Sequence, residues 1–430
     1  MALEDWVLSR VLLGCIADDF TGATDLASML VRNGLRTIQV IGVPQAPLDA
    51  NVDAVVIALK TRTMPRDEAV DESLAALAWL RGLGCRQYFY KYCSTFDSTS
   101  QGNIGPITDA LIDALGLSFA LACPALPENH RTLYNGHLFV GETLLSESSM
   151  RDHPLTPMTD GKIVRVLQQQ TPRKVGLINH SVVQQGVEAV HQAFAKAQED
   201  GITYAVVDAI SNHDLQVIGE AACDHVLVTG GSGAAIGLPG NFQRLGLLAD
   251  TCAASLTSHV DGYAAVLSGS CSKATVDQVE HWKSTGRPYL ALDPLRLATN
   301  HDQITEALEW AKPLLVSGPV LIYASALPAE VKDIQNCLGA IEAGKIVEHA
   351  LSQIAVGLRD LGVNAFVVAG GETSGAVVRA LGINALHIGD PIDPGVPWTT
   401  GTGDYPIALA LKSGNFGSRD FFSKALELAP

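Results

Sequence analysis

The sequence has few positively charged residues, and this shortage bears on which kinds of molecule the protein can bind. Its 29 lysines and arginines stand against 45 aspartates and glutamates, which gives the 430 residues a formal net charge of -16. Proteins that bind the nucleic-acid backbone concentrate Lys and Arg on one face, so no nucleic-acid partner is expected. A few local basic groups can still attract a small anionic substrate into one pocket.

Paired cysteines and long apolar runs are also missing. The eight cysteines include no C-x-x-C pair, and a chain of this length needs no disulfide framework, which predicts reduced thiols in the cytoplasm. No apolar stretch is long enough to span a bilayer, so no membrane partner is expected. Residues 12–15 (LLGC) look like a lipoprotein cleavage box, but the run is short and lies between acidic residues, which favours a buried strand.

Several standard catalytic motifs are absent as well. There is no G-x-x-x-x-G-K-[ST] loop and no well-placed G-x-G-x-x-G, so nucleotide binding cannot be argued from a common motif. The twelve histidines form no H-E-x-x-H zinc spacing, and no G-x-S-x-G follows a predicted strand. These absences leave a zinc site or an α/β-hydrolase elbow without support.

What is present is an alternation of short apolar runs with amphipathic segments along the whole chain. This pattern predicts an α/β protein whose mostly parallel sheets are flanked by helices. The length favours two domains, and a glycine- and proline-containing stretch predicts a boundary that divides residues 1–245 from residues 246–430. We expect the active site in the cleft between them. Residues 126–160 are polar and rich in turns, which predicts an irregular segment that is functional or mobile.

Polar side chains follow the predicted strands of the first domain, where parallel sheets bind ligands. Asp18 and Asp19 follow the first strand. Asp19 or Thr21 can cap the next helix, and the second carboxylate of the pair can bind a sugar hydroxyl or take its proton. Arg62 follows the third strand and suits a carboxylate, although it can equally be an exposed charge. Residues 91–103 follow the fourth strand and form a dense polar cluster that suits a polyol acid, with a solvated loop as the alternative.

Glycine-rich turns follow the predicted strands of the second domain. They cover residues 268–272, 370–375 and 412–417. Glycine lets the backbone approach a phosphate, and a helix N-terminus offers unpaired N–H groups and the positive end of a dipole. Each turn alone is weak support, but three in one domain predict a shared phosphate-bearing ligand. A further glycine turn at 229–233 in the first domain can be purely structural.

The order and spacing of eight segments give the chain a family resemblance. Over residues 11–422 it resembles the four-carbon acid sugar kinase family, and the resemblance is carried by IADDFTGATDLA, KYCSTFDSTSQGN, PENHRTLYNGHLFVG, MRDHPLTPMTD, VTGGSG, SGSCS, GGETSG and LKSGNFG. The CSTFDST and MRDHPLTPMTD segments are most similar to the 3-oxo-tetronate 4-kinase branch. The D-threonate and D-erythronate kinase branch is the second alternative.

The resemblance implies a sugar-acid domain followed by a nucleotide domain that holds ATP, and the chemistry of phosphoryl transfer leads us to expect Mg²⁺ on the phosphates. Asp18 and Asp19 would be catalytic, and the sequence does not choose between them. The implied substrate residues are Asp18, Arg62, Lys91, Ser94, Asp97, Ser98, Gly102 and Asn103. The implied ATP residues are Ser268, Ser270, Gly370, Gly371, Glu372, Thr373, Ser374, Gly414, Asn415 and Gly417. The metal ligands stay unassigned, and a homo-oligomer is expected only from its general frequency.

Two rival functions come from other classes. A non-catalytic sensor of nucleotide or sugar acid would keep the glycine turns without needing the aspartates or Lys91. A phosphosugar isomerase would show no dependence on ATP. Because the sequence retains both aspartates and Lys91, the kinase is the favoured hypothesis.

Overall fold

The computed structural model describes residues 11–45, 51–153, 155–248, 260–299, 302–325, 338–402 and 407–430. The chain divides into two compact units, Met1–Ala254 and Ser255–Pro430. Both units are mostly parallel sheets with flanking helices, so the α/β class and the two-domain organisation are confirmed. The boundary after residue 245 and the position of the active site between the domains stay predictions.

The first unit is built on eight parallel strands in the order β2-β3-β1-β4-β11-β5-β10-β9. The central strands are buried, as expected where helices cover both faces of a sheet. The strands are β1 (Leu13–Ala17), β2 (Thr37–Ile41), β3 (Ala54–Ala58), β4 (Gln87–Lys91), β5 (Ala120–Cys123), β9 (Val175–Ile178), β10 (Tyr204–Val207) and β11 (Leu227–Gly230).

Among the described residues of this unit, eight helices connect and cover these strands. They are α1 (Phe20–Arg32), α2 (Arg66–Gly82), α3 (Ile104–Leu115), α4 (Ile163–Gln168), α5 (His180–Val183), α6 (Val187–Glu199), α7 (Asn212–Ala221) and α8 (Leu238–Arg244). Helix α1 begins where it does because the Asp19 carboxylate accepts the Gly22 N–H at 2.9 Å and so caps the first turn. The cap predicted at this position is therefore confirmed for Asp19.

The polar segment 126–160 is more ordered than predicted. It contains a small antiparallel sheet of β6 (Arg131–Tyr134), β7 (His137–Val140) and β8 (Thr143–Leu144), so the expectation of a wholly irregular stretch was wrong. The turn between β6 and β7 is Asn135-Gly136, with both residues at positive φ, the conformation that tight hairpins favour. Asp208 fixes this turn, since its carboxylate accepts the backbone N–H groups of Asn135 and Gly136 at 2.7 and 2.8 Å.

The second unit has a mixed sheet in the order β13-β14-β12-β15-β18-β17-β16. Five strands (β12–β15 and β18) are parallel, and three of them, β12, β15 and β18, are followed by the glycine turns. Strand β17 runs antiparallel to β16 and β18. The strands are β12 (Tyr263–Ser268), β13 (Tyr289–Ala291), β14 (Val320–Tyr323), β15 (Val363–Ala369), β16 (Ala385–Asp393), β17 (Val396–Gly401) and β18 (Ala408–Lys412).

Six described helices flank this second sheet. They are α9 (Lys273–Ser284), α10 (Pro294–Thr299), α11 (Asp302–Leu314), α12 (Ala340–Asp360), α13 (Gly371–Ala380) and α14 (Phe421–Glu427). The core between sheet and helices is aromatic, with Trp282, Trp398 and Phe421 buried and both indole N–H groups bonded to backbone carbonyls. Within the described part of the chain, no helix has the length and apolarity to cross a membrane.

Candidate active site

An ionic cluster lies at the carboxyl ends of β1 and β3. The guanidinium of Arg62 donates two hydrogen bonds to the carboxylate of Asp18, from Nε at 2.9 Å and from Nη2 at 2.8 Å. The same Nη2 donates to Asp19 Oδ1 at 2.8 Å, and Nη1 lies 3.7 Å from Asp97 Oδ2. The structure therefore brings three of the carboxylates predicted for this site around the guanidinium of Arg62, which was also predicted.

The two adjacent aspartates have opposite electrostatic environments. Burial raises the pKa of Asp18 above its ordinary value, and the attraction of Arg62 only partly offsets this effect. Burial also acts on Asp19, but the charges of Arg62 and Lys91 and the hydrogen bonds from Thr21 and Gly22 outweigh it, so the pKa of Asp19 is lowered. Asp18 is therefore the more basic carboxylate, while Asp19 is held as an anion at the helix terminus.

Lys91 ends β4 next to a carboxylate that the sequence analysis missed. Its side chain is almost fully buried, and Nζ lies 3.9 Å from Asp25 Oδ2 and donates to the Tyr92 carbonyl at 2.8 Å. Asp25 lies on α1, where burial raises its pKa more than Lys91 and Ser232 lower it. Ser232 belongs to the glycine turn at 229–233, so that turn also contributes a group to the site around Asp25 and Lys91. Because Asp25 lies in the middle of a helix, its role could not be read from its position in the sequence.

The loop after β4 is held in an unusual backbone conformation. Phe96 and Asp97 both have positive φ, at 65° and 39°, which ordinary residues adopt rarely and which marks strain at many functional sites. The hydroxyl of Thr95 donates to Asp97 Oδ1 at 2.7 Å and so fixes this carboxylate. Ser94 is buried beside the turn at Gly231.

Three predicted substrate residues of the same loop are engaged by the protein itself. The amide nitrogen of Asn103 donates to the carbonyls of Thr61 and Met64, at 2.7 and 2.9 Å, and so supports the segment that carries Arg62. The Ser98 hydroxyl accepts from Gln170 at 2.8 Å, and Gly102 packs so closely that an added Cβ would lie 1.9 Å from Ser98 Oγ. These contacts indicate that Asn103 and Gly102 shape the site.

The small antiparallel sheet and the segment after it add two further groups. Burial lowers the pKa of Arg131, which lies in β6, while the charges of Cys93, Asp97 and Asp25 act to raise it. Burial likewise lowers the pKa of His153, which also experiences the charges of Asp97 and Arg62. The charges of the ionic cluster therefore act on Arg131 and His153, two groups that the sequence analysis did not predict.

In the second unit, the three predicted glycine turns meet at the carboxyl ends of neighbouring parallel strands. A Cβ added to Gly370 would lie 3.3 Å from the backbone nitrogen of Ser270, and one added to Gly269 would lie 2.3 Å from Thr373 Oγ1. A Cβ on Gly414 would lie 2.5 Å from Ser270 Oγ. The structure therefore brings the turns together, as the sequence analysis expected for a shared ligand.

The turn at 414–418 is tied to helix α9 by side chains. Ser272 caps α9, and its hydroxyl also donates to the Gly414 carbonyl at 2.5 Å, as does the Thr275 hydroxyl at 2.8 Å. The amide of Gln278 donates to the carbonyls of residues 416, 417 and 418. Gly417 has φ 84° and Asn415 is exposed beside it.

Helix α13 begins directly in the second turn. Gly370 precedes it at φ 120° and ψ 130°, and Gly371, Glu372, Thr373 and Ser374 form its first turn. The hydroxyl of Ser374 is completely buried and has no hydrogen-bond partner among the described residues. On the neighbouring strand the Ser268 hydroxyl bonds to that of Ser325 at 2.7 Å. Close backbone approach, a helix N-terminus and an unsatisfied hydroxyl fit a ligand rich in acceptor oxygens.

Lys412, the last residue of β18, is a second buried lysine that the sequence analysis did not assign. Its Nζ donates to Thr275 Oγ1 at 2.9 Å and to the carbonyls of Ser413 and Gly414 at 3.0 Å each. Its side chain is 0% exposed. The sequence signal was present, since the lysine begins the third glycine turn, but its contacts join residues far apart in the chain.

Comparison with known families divides the chain in the same way as its contacts do. Residues 13–238 match a sugar-binding N-terminal domain, and residues 265–422 match a nucleotide-binding C-terminal domain. The chain is 59% identical to the 3-oxo-tetronate kinase of Pseudomonas fluorescens and 57% identical to that of Burkholderia multivorans, in both cases over 97% of each chain. The 3-oxo-tetronate kinase of Haemophilus influenzae is 45% identical over 96% of this chain and 99% of its own.

Two solved structures are similar over almost the full length. A Salmonella typhimurium LT2 protein, which bears the provisional name of a tRNA synthase, is 44% identical with a TM-score of 0.85 and covers 98% of this chain and 100% of its own. A Haemophilus influenzae protein is 45% identical with a TM-score of 0.74 and covers 97% of this chain and 100% of its own. The fold is therefore shared by proteins of known structure.

Proposed function

Since the chain belongs to the four-carbon acid sugar kinase family, we propose that it transfers the γ-phosphoryl group of ATP to the 4-hydroxyl of a 3-oxo-tetronate. The observation that carries this proposal is that the carboxyl ends of the strands bear different chemical groups in the two units. In the first unit, carboxylates lie around Arg62 and Lys91. In the second unit, glycine turns lie around the N-terminus of a helix. The net charge of -16 argues against a tRNA substrate.

In the first unit, the cations bind the substrate carboxylate and the polar loop binds its hydroxyl groups. Arg62 Nη1 is the part of the guanidinium that its two hydrogen-bonded aspartates leave open, and Lys91 Nζ lies at the same edge. Asp97, Ser94 and Ser98 supply acceptors for hydroxyl groups, while Asn103 and Gly102 hold the loop in shape. This arrangement leaves the 4-hydroxyl for the catalytic aspartates.

Asp18 is our assignment for the group that orients the 4-hydroxyl and accepts its proton. Its pKa is raised by burial, which makes it the better proton acceptor of the pair. Asp19 is tied to Gly22, Thr21 and Arg62, so it holds the helix terminus and the guanidinium in place. As the γ-phosphoryl group leaves ATP, positioning contributes more than covalent chemistry by the protein.

In the second unit, the glycine turns hold ATP. The N–H groups between Gly370 and Ser374 bind the phosphates, since those of Gly370 and Ser374 themselves already donate to the carbonyls of Lys412 and Gly370. The adjacent turns contribute Ser268, Ser270, Gly414, Asn415 and Gly417. A Cβ at Gly370 or Gly414 would enter this space, and the buried Ser374 hydroxyl lacks a partner among the described residues, so the residues present fit a triphosphate.

Mg²⁺ would enter with ATP as part of the substrate complex and neutralise charge on the phosphates. No cluster of three His, Cys, Asp or Glu side chains that could hold a metal occurs in the described ranges. That fits an ion held mainly by phosphate oxygens and water. Glu372 is the one carboxylate among the residues proposed for ATP.

We also propose a cytoplasmic location, supported by thiols that form no disulfide within the described part of the chain, namely those of Cys15, Cys85, Cys93, Cys123 and Cys223. The expected homo-oligomer stays a prediction.

A direct test incubates the full chain with Mg-ATP and a panel of four-carbon acids, and identifies phosphorylated products by mass. We expect a 3-oxo-tetronate 4-phosphate together with ADP. Phosphorylation of D-threonate or D-erythronate alone would move the chain to the other branch of the family. Binding of ATP and sugar acid without any turnover would identify a sensor, and turnover without ATP would exclude the kinase.

The assignment of the base is tested with Asp18→Asn and Asp19→Asn. We expect Asp18→Asn to lower kcat by about 10²–10⁴-fold, the usual contribution of a general base, with a folded protein. Asp19→Asn should lower kcat by a smaller factor, because asparagine can still cap α1. Equal kcat values for the two variants would contradict the assignment of Asp18.

A further inference from the structure

Lys412 is a buried cation whose three hydrogen bonds are all to neutral groups. The ammonium group has three N–H donors, and the three acceptors are Thr275 Oγ1 and the carbonyls of Ser413 and Gly414. The Thr275 hydroxyl already donates its own proton to the Gly414 carbonyl, so it acts toward Lys412 as an acceptor. A neutral amine has only two N–H donors, so the three acceptors match the charged form.

These bonds also fix the direction of two peptide units. In a trans peptide the C=O and the following N–H point in opposite directions. Because the carbonyls of Ser413 and Gly414 point toward the buried ammonium, the N–H groups of Gly414 and Asn415 point away from it. Neither N–H donates to another group within the described residues, and Gly414 packs against Ser270 in the neighbouring turn.

The charge of Lys412 lacks a counter-ion among the residues that the structure describes. No salt bridge to it occurs there, and burial, which disfavours the charged form, lowers its pKa to about 7. An anion placed beyond the 414–415 amides would favour the charged form without touching the side chain. At this depth from water the attraction is weakly screened.

We propose that Lys412 is a positioning residue for the phosphates of the bound nucleotide. Its ammonium holds the carbonyls of Ser413 and Gly414 inward, which presents the Gly414 and Asn415 amides to the phosphate oxygens, and it supplies the buried positive charge behind them. This inference rests on the proposed use of ATP and adds to it a residue that lies beneath the turn.

The test exploits the number of phosphates on the ligand. Affinities of ADP, AMP and adenosine are measured by calorimetry with the wild type and with Lys412→Met, which keeps the length of the stem and removes the charge. We expect ADP to bind about tenfold more weakly to the variant, the size of one charge-assisted interaction, with a smaller loss for AMP and none for adenosine. In steady-state assays KM for ATP should rise while KM for the sugar acid stays the same.

The matched control is Lys312→Met, which removes an exposed lysine from α11 of the same unit and should leave all three affinities unchanged. Should Lys412→Met not fold, Lys412→Gln replaces it, because the amide still donates two hydrogen bonds without a charge. An equal loss for ADP and adenosine would reduce Lys412 to a structural role, and no loss would overturn the proposal. A wild type that binds no adenine nucleotide would instead refute the proposed function itself.

Discussion

The carboxyl ends of the strands in the two units present different kinds of ligand-binding groups. In the first unit the groups are charged side chains, with Asp18, Asp19, Asp25 and Asp97 surrounding Arg62 and Lys91. In the second unit they are hydroxyls, glycines and backbone amides, with one buried lysine behind them. Side chains can be arranged to fit one small acid, whereas backbone amides suit phosphates that every ATP-dependent enzyme must bind.

This difference predicts two different sensitivities to mutation. The first site should depend on the identity of side chains, because removing one ion leaves its partners buried and uncompensated. The second should depend on the absence of side chains, because any Cβ in the turns occupies ligand space. Three experiments test this contrast, in order of decreasing effect.

The largest effect is expected from Arg62→Met. Loss of the guanidinium leaves Asp18 and Asp19 without their shared cation, and kcat/KM for the sugar acid should fall about a thousandfold. ADP affinity, measured by calorimetry, should not change. Arg66→Met is the control, since Arg66 is an exposed arginine of the same segment, and its kcat/KM should stay within about twofold of the wild type. Retained turnover in Arg62→Met would remove the charged cluster from the mechanism.

A smaller effect is expected from Gly370→Ala. Alanine at φ 120° is strained, and its methyl group would lie 3.1 Å from Thr373 Oγ1 and 3.3 Å from Ser270. We expect KM for ATP to rise about tenfold or more because the turn must shift, with KM for the sugar acid unchanged. Gly382→Ala is the matched control, because its φ is also positive at 72° but no atom lies within 4 Å. If both variants lose stability but neither alters KM for ATP, the turn does not contact nucleotide.

The smallest effect concerns stability and separates the two adjacent aspartates. The raised pKa of Asp18 means that the folded state prefers its protonated form, so its contribution to stability is full at acidic pH and is lost as pH rises through that pKa. The pKa of Asp19 is shifted in the opposite direction. The contribution of Asp19 to stability is therefore present above the ordinary pKa of aspartate and is lost as pH falls through the lowered pKa.

Thermal melts of the two asparagine variants measure these contributions. At pH 7.5 Asp18→Asn should melt a few degrees above the wild type and Asp19→Asn a few degrees below it. Both differences should shrink as pH falls into the acidic range. Shifts of the same sign in the two variants would show that their environments are alike.

Much of the fold could be predicted because local patterns determined it. The alternation of strands and helices could be predicted from the apolar and amphipathic runs, and Asp18, Arg62 and Lys91 lie at the carboxyl ends of β1, β3 and β4 as expected. Parallel strands bring their carboxyl ends together, so residues that follow different strands converge without any knowledge of their contacts. The same logic correctly brought the three glycine turns together.

What the sequence did not reveal depends on burial and on contacts between distant residues. Asp25 appears as one polar residue in a helix, and only its packing against Lys91 gives it a role. The acceptor of Lys412 on α9 is 137 residues away in the chain. The hairpin in the polar segment, by contrast, has a local signal in the sequence, since Asn-Gly between two short apolar runs is typical of a tight hairpin turn.

That hairpin has a consequence for the ageing of stored protein. An Asn-Gly step is prone to deamidation in flexible chains, because the glycine nitrogen can attack the asparagine side chain. Here the nitrogen of Gly136 is held by Asp208 at 2.8 Å, and both residues of the step are fixed in the left-handed region. Chemical decay of the folded protein should therefore be slow at this step, and it should accelerate once the chain is unfolded.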